Sequence, residues 1–543
     1  MTHTATLTKC IEVRRVRKEK RVMDKFEAGL KNVLKDEIAI TENGACGFKT
    51  SGKKLLDLNF TTSSLRRANE AEVIAKFSAA FYENPKLAVK WLFFARDIRG
   101  GMGERRLFKL AFKWLASVRK DVAKAVVPLI MEYGRADDML VLSETELWPV
   151  AVEFIDRKIE SDLADAEAGK PISLLAKWMP SVNTSSSKTR ALARKLCKDL
   201  ELSEKEYRKL LSKLRAKLNV IETKTSANKW SEISYDAVPS QANLKYKNAF
   251  LKHDEARRRE WLGKLENGEA KINSGTLTVG EIVHKYWNSY YNTTGNVDQT
   301  LEAMWKALPT TFESTRKVIA VVDGSGSMGC TASGGISCHD VANGLGIYFA
   351  ERLEGPFKNK FITFSETPQY VDISECKTLR EKIDEAYRHC ECSNTDIERT
   401  MRLILQTAID NKLAQEDIPD LLILSDMHFD QGTSWSGSGS CWGEPSTAYS
   451  ARRNALFESI KKQFKDAGYQ MPKISFWNIC GGYDRESPVP VQQNELGVAL
   501  ISGFSQNILK MVMSNKTDPF DVLVETLNGK RYDAVEQMIA GLL

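Results

Sequence analysis

The sequence predicts a two-part chain: an N-terminal all-α ring or solenoid of irregular helical repeats over 41–312, then a C-terminal α/β doubly wound domain over 313–543. A basic arm, 1–40, precedes both. Three observations lead there. Apolar residues recur at helical spacing from about Asn69 to Glu266, the texture changes after Phe312 to short β-branched runs alternating with helices, and the two halves carry opposite charge.

Within 1–25, Lys9, Arg14, Arg15, Arg17, Lys18, Lys20, Arg21 and Lys25 stand among few apolar positions, as in a surface-lying or mobile arm. Phe77 and Phe81, then Leu87, Trp91, Phe94 and Ala95, then Leu107, Leu110, Ala111 and Leu115 follow the one-, three- and four-residue spacing of amphipathic helices. Alternating strand patterns are scarce here. Successive helical pairs without an exact repeat fit a solenoid or ring better than a compact bundle.

Beyond Phe312 the runs Val318–Val322, Phe361–Phe364, Leu421–Leu424, Ile474–Ile479 and Val498–Ile501 alternate with helical segments, the pattern of βαβ units in a parallel sheet covered on both faces. Ligands of such sheets bind at the carboxyl ends of the strands. The first three loops at that edge start near Asp323, Cys390 and Asp426.

The first loop reads VIAVVDGSGSMG over 318–329 and admits two readings. Gly324, Gly326 and Gly329 spell the dinucleotide fingerprint, which requires a helix opening at the third glycine and an acidic residue about 20 positions on. Neither is present, because 329–339 continues as loop and the helix is expected near Asp340. An EF-hand fails as well, since Met328 holds the position its glycine needs and Gly334 the position of its glutamate. Oxygen donors at Asp323, Ser325 and Ser327 suit a hard cation, Mg²⁺ first, with Mn²⁺ or Ca²⁺ on the same donors. Thr395 ahead of a helix and Asp426 after a buried strand bring further oxygens to the same edge.

That order, D-x-S-x-S, then a threonine before a helix, then a strand-end aspartate, resembles the metal-ion-dependent adhesion site of von Willebrand factor A domains. The resemblance implies that Asp323, Ser325, Ser327 and Thr395 ligate the ion directly or through water, with Asp426 the last contributor. It also implies a coordination position open to an acidic residue of a protein partner. Two departures from the short form are the long first loop, Cys330–His339, and a Ser/Gly/Trp-rich third loop, Gln431–Gly443.

Cys330, Cys338, His339, His389, Cys390, Cys392, His428 and Cys441 crowd the same three loops. Thiolate and imidazole together favour Zn²⁺, but no Cys-x2-Cys pair is present, so a second, zinc-type site and reduced thiols both stay open. Ten cysteines without regular spacing argue against a disulfide framework. With no apolar run of spanning length and no secretory signal, a cytoplasmic protein with no membrane partner is expected.

Residues 1–315 hold 55 Lys+Arg against 41 Asp+Glu, and 316–543 hold 23 against 30, so the helical half is the candidate for polyanions. Between Lys188 and Lys217 eleven basic residues face four acidic ones, at helical spacing. Lys188, Arg190, Arg194, Lys195, Arg208, Lys209 and Lys213 are its candidate RNA contacts. Trp178, Tyr207, Trp230 and Tyr246 offer stacking surfaces nearby, and hydroxyls at 184–187 precede a helix. Arg99 and Arg105, in Ala95-Arg96-Asp97-Ile98-Arg99-Gly100-Gly101-Met102-Gly103-Glu104-Arg105-Arg106, either reach phosphates or join ion pairs between stacked helices. The turn Tyr133–Asp138 reads as structural.

A helical half with I-R-G-G-M-G-E-R-R joined to a von Willebrand A domain resembles the Ro ribonucleoprotein (TROVE) architecture. It is also similar to a related family with the phrases T-E-N-G-A, here Thr41–Ala45, L-A-K-W-x-P-S-x-N-T-S-S, here Leu175–Ser186, and A-V-P-S, here Ala237–Ser240. The resemblance implies HEAT-like repeats in a ring that binds single-stranded RNA ends in its hole and structured RNA on its rim. A non-enzymatic RNA-binding ribonucleoprotein component is therefore expected, with a protein-interaction scaffold as the alternative. No triad or phosphate loop supports an enzyme. Oligomeric state is not readable from these residues.

Overall fold

The computed structural model describes residues 38–40, 46–290, 297–364, 367–391, 396–428, 460–480, 490 and 497–543. The basic arm at 1–25, Thr395, Cys392, Cys441 and the third loop at 431–443 lie outside these residues.

A two-stranded hairpin, β1 (Ile38–Ile40) and β2 (Cys46–Phe48), leads into the helical half. Its principal helices are α1 (Lys54–Phe60), α2 (Glu70–Glu83), α3 (Pro85–Arg96), α4 (Arg105–Val118), α5 (Trp148–Glu167), α6 (Ser187–Asp199), α7 (Glu204–Lys217), α8 (Ser240–His253), α9 (Glu255–Glu266), α10 (Val279–Tyr290) and α11 (Gln299–Lys306). Local chemistry sets their starts. Asn69 accepts from Glu72 N, Asn84 from Leu87 N ahead of Pro85, and Ser203 with Glu206 forms a capping box on α7. Helices continue past Glu266 and precede Asn69, so the helical pattern extends beyond the span expected from periodicity.

Among the described residues six strands form the central sheet: β3 (Val318–Asp323), β6 (Lys360–Phe364), β7 (Tyr370–Asp372), β8 (Asp420–Ser425), β9 (Ile474–Asn478) and β10 (Val498–Ser502). A small hairpin, β4 (Thr331–Ser333) with β5 (Ile336–Ser337), occupies part of the long first loop. Their order in the main sheet is β10-β9-β8-β3-β6-β7, all parallel except the edge strand β7. Every residue of β3, β9 and β10 is buried, which accounts for their largely apolar sequences. Helices α12 (Cys338–Arg352), α13 (Leu379–Arg388), α14 (Ile397–Asp410), α15 (Pro519–Leu527) and α16 (Asp533–Ile539) belong to this half, as do helical residues 460–466. The first of them starts two residues before the expected Asp340, because Ser337 and Asp340 form a capping box.

Both ends of the helical half pack against the sheet half. At one end α1 lies beside β10, where Asn59 Nδ2 donates to Leu500 O and Ser63 Oγ donates to Asn478 O. At the other, α10 packs along α12, and His284 Nδ1 lies 2.9 Å from Asp340 Oδ2. A third joint forms at the Ile98–Arg106 turn. Asp97, fully buried, receives Arg531 from the C-terminal helices, with Nη2 to Oδ1 at 2.7 Å, while Asn507 Nδ2 donates to Ile98 O. Gly101 permits this turn, since a Cβ there would stand 2.0 Å from Phe94 O.

Candidate metal centre and basic face

Asp323 ends β3 and Asp426 follows the end of β8, so adjacent parallel strands deliver both carboxylates to one rim. Successive strands leave β3 on both sides, to β6 and to β8, which makes this rim the sheet's switch point. Ser325 N and Ser425 Oγ donate to Asp323 Oδ1 and Oδ2, at 2.9 and 2.5 Å. The hydroxyls of Ser325 and Ser327 stand 3.0 Å apart. Asp426 Oδ1 accepts from His428 N at 3.2 Å. Its Oδ2 is buried and accepts no hydrogen bond among the described residues, although Ser327 lies close enough to temper its charge.

Burial, and then the charge of Asp426, push Asp323 up to about 7; burial raises Asp426 too. Two carboxylates withdrawn from water either keep protons or face a cation. The donors fit a hard divalent ion: four oxygen-bearing side chains from two loops, one of them presenting a buried carboxylate oxygen without a partner.

Thr395, the expected fifth contributor, lies outside the described residues. Its neighbour Asp396 is buried and caps α14 through Arg399 N. Cys390, where the second loop starts, abuts the first loop, since a Cβ on Gly324 would stand 3.2 Å from Cys390 Cα. His339 Nε2 donates to Ser325 O at 3.0 Å, and burial lowers its pKa, which keeps the imidazole neutral and in service of the loop backbone.

Among the candidate zinc ligands, His389 bonds Gln369 and Glu385, and Cys390 Sγ lies 3.6 Å from Ala386 O. Cys330 and Cys338 meet each other. Cys480, a residue sequence reasoning passed over, joins them from the end of β9. The only available signal was its position just beyond a predicted strand.

The basic stretch forms an outward face. Lys188, Arg194, Lys195, Arg208, Lys209 and Lys213 are exposed, while Ala193, Leu196, Tyr207, Leu211 and Leu214 turn into the core. Some of these cations have local partners: Arg190 with Thr184 O, Arg194 with Glu204, Lys195 with Ser143 O and Lys213 with Glu167. Tyr207 is no stacking surface, for it is fully buried with its hydroxyl on Pro180 O. Trp178 lies under the Arg135 guanidinium, and Trp230 stacks on His253. Of the two candidate RNA contacts in the glycine-rich segment, Arg99 is exposed, and Arg105 pairs with Asp137 and Asp138. Arg96 and Glu104 also enter ion pairs, with Asp138 and Arg66.

Comparison with known proteins adds four findings. Residues 41–120 and 150–315 match a family described as "Domain of unknown function (DUF2828)". Residues 317–537 match another, "Domain of unknown function (DUF7788)". The chain is similar to "Uncharacterized protein L728" of Acanthamoeba polyphaga mimivirus, at 29% identity over 530 residues, covering 90% of this chain and 87% of the relative. Among solved structures it is similar to the Deinococcus radiodurans Ro (RSR) protein, with a TM-score of 0.43 and 13% identity, covering 82% of this chain and 91% of that one. None of the described helices is long and apolar enough to cross a membrane.

Proposed function

We propose that this chain is a non-catalytic RNA-binding protein in which a von Willebrand A-type domain, holding a hard divalent cation, closes a helical arc. The observation that carries the metal half is the buried pair Asp323 and Asp426, one of whose oxygens accepts no hydrogen bond among the described residues. A bound Mg²⁺ supplies the positive charge this pair lacks and an open position for an acidic ligand. Asp323, Ser325, Ser327 and Asp426 would hold it, with Thr395 as the contributor carried over from the family pattern. Ser425 fastens Asp323, and His339 fastens the loop that carries Ser325. With its Nε2 committed to the Ser325 carbonyl, His339 serves the loop, and a binding role is favoured over hydrolysis.

The RNA half is supported by the exposed cationic face of α6 and α7, which sequence-independent phosphate contacts require. Nuclease treatment before and after purification tests it: RNA should co-purify and be lost on digestion. A chain that purifies free of RNA and retains none on a filter at low salt contradicts it.

A second reading, a scaffold whose partner donates a carboxylate to the cation, is favoured by the placement of the site at the carboxyl-end rim of the sheet, where Gly326 is exposed and Ser327 half-buried. A partner captured by the intact chain should be lost with chelator and with Asp323→Ala. Survival of the contact under both treatments would remove this reading.

A further inference from the structure

Behind the oxygen site lies a cluster of a different chemical kind. The Sγ atoms of Cys330 and Cys338 are 3.3 Å apart, those of Cys330 and Cys480 are 3.5 Å apart, and all three lie within 4.8 Å of one another. All three residues are buried. Three separate pieces of chain deliver them. Cys330 closes the turn after the Asp323–Gly329 loop, Cys338 is the first residue of α12, and Cys480 follows β9. The hairpin β4–β5 makes the first meeting: it reverses through Gly334 and Gly335, both at positive φ, and Cys338 N donates to Cys330 O at 3.0 Å.

We infer that Cys330, Cys338 and Cys480 form a thiolate site for a soft-to-borderline d¹⁰ cation, zinc first, distinct from the oxygen site at Asp323. Zn–S bonds of about 2.3 Å in tetrahedral arrangement place sulfurs about 3.8 Å apart, near the separations found here. A disulfide accounts for two of the three sulfurs and leaves the third buried beside it, whereas one metal ion accounts for all three. Sulfurs this close also leave room for a single ion rather than an iron–sulfur cluster. Binding releases a proton from each thiol to solvent, and among the described residues these three form the ligand set.

The consequence is mechanical. Zinc would tie the hairpin that follows the hard-cation loop to the end of β9, whose neighbour β8 carries Asp426. A chain without it should expose that hairpin, so protease should cut between Thr331 and Ser337 after chelation and not before.

Elemental analysis of the untagged full chain, dialysed after expression with added zinc, tests the inference. The result expected is close to one zinc per chain, lost in Cys330→Ser and Cys480→Ser and kept in Cys376→Ser. Should either serine variant fail to fold, cobalt titration of the apo wild type reads the same site through its thiolate-to-metal charge-transfer absorption. Zinc below a tenth of an equivalent with no such absorption overturns the inference, as does peptide mapping of a Cys330–Cys338 disulfide in protein kept in reductant. Asp323→Ala should retain its zinc, which separates failure of this site from failure of the oxygen site; zinc lost from that variant would contradict a site built of thiolates alone.

Discussion

Ser425 Oγ donates a 2.5 Å hydrogen bond to Asp323 Oδ2, so the last residue of one strand fastens the carboxylate that ends its neighbour. Both groups are fully buried. Ser425→Ala leaves the carboxylate charge in place and removes its anchor. Affinity for Mg²⁺ should fall by about tenfold, near 1.4 kcal/mol, as read by calorimetric titration, with an unchanged circular dichroism spectrum.

Arg531 meets the buried Asp97 across the joint between the two halves. Arg531→Ala strips a fully buried carboxylate of its guanidinium, although Tyr532 and the Arg99 amide still donate to it. A loss of about 2–4 kcal/mol in urea denaturation is expected. Arg531→Lys should recover part of it, because an ammonium restores charge without the forked geometry.

Glu536 titrates well below its ordinary range, at about 2, because Lys86 and Lys90 donate to it. With the folded value depressed, the stabilisation is fully present above the ordinary value of 4.5 and is lost as pH falls from there toward 2. Glu536 is 39% exposed, so salt screens the effect. Glu536→Gln should flatten this part of the acid limb in denaturation curves recorded at low salt. It should also lower stability at pH 7, since Lys90 is fully buried.

Reversing Arg194, Lys195, Arg208 and Lys209 to glutamate should weaken RNA retention across unrelated sequences. Each lost phosphate contact lowers the slope of log affinity against log salt by about 0.7 for single strands. An unchanged slope would place the RNA elsewhere.

The fold was readable where chemistry is local. Buried parallel strands announce themselves as apolar runs, and all five expected runs lie in the sheet. The edge strand β7 escaped notice because Tyr370 and Asp372 are exposed on either side of one buried valine, too short for a periodic signal. The hairpin β4–β5 has the same excuse. The segment Ala95–Arg106 left two readings open because arginines beside glycines look alike in a phosphate site and a packing joint. Asp97 serves the packing joint, through a partner more than 400 residues away, while Arg99 stays exposed. At the candidate metal rim, Asp323, Ser325 and Ser327 were readable as a spacing within one loop, and Asp426 as a strand end. Ser425 and Cys480 act only through neighbours that the fold supplies.

Manganese binding followed by electron paramagnetic resonance addresses the central claim most directly, because free Mn²⁺ gives a sharp signal that disappears on coordination. Titration of the full chain should remove one equivalent of that signal, with Mg²⁺ competing for the same position and Asp323→Asn abolishing it. Retention of the full free-ion signal by the wild type, or equal uptake by Asp323→Asn and Asp426→Asn, would contradict the account.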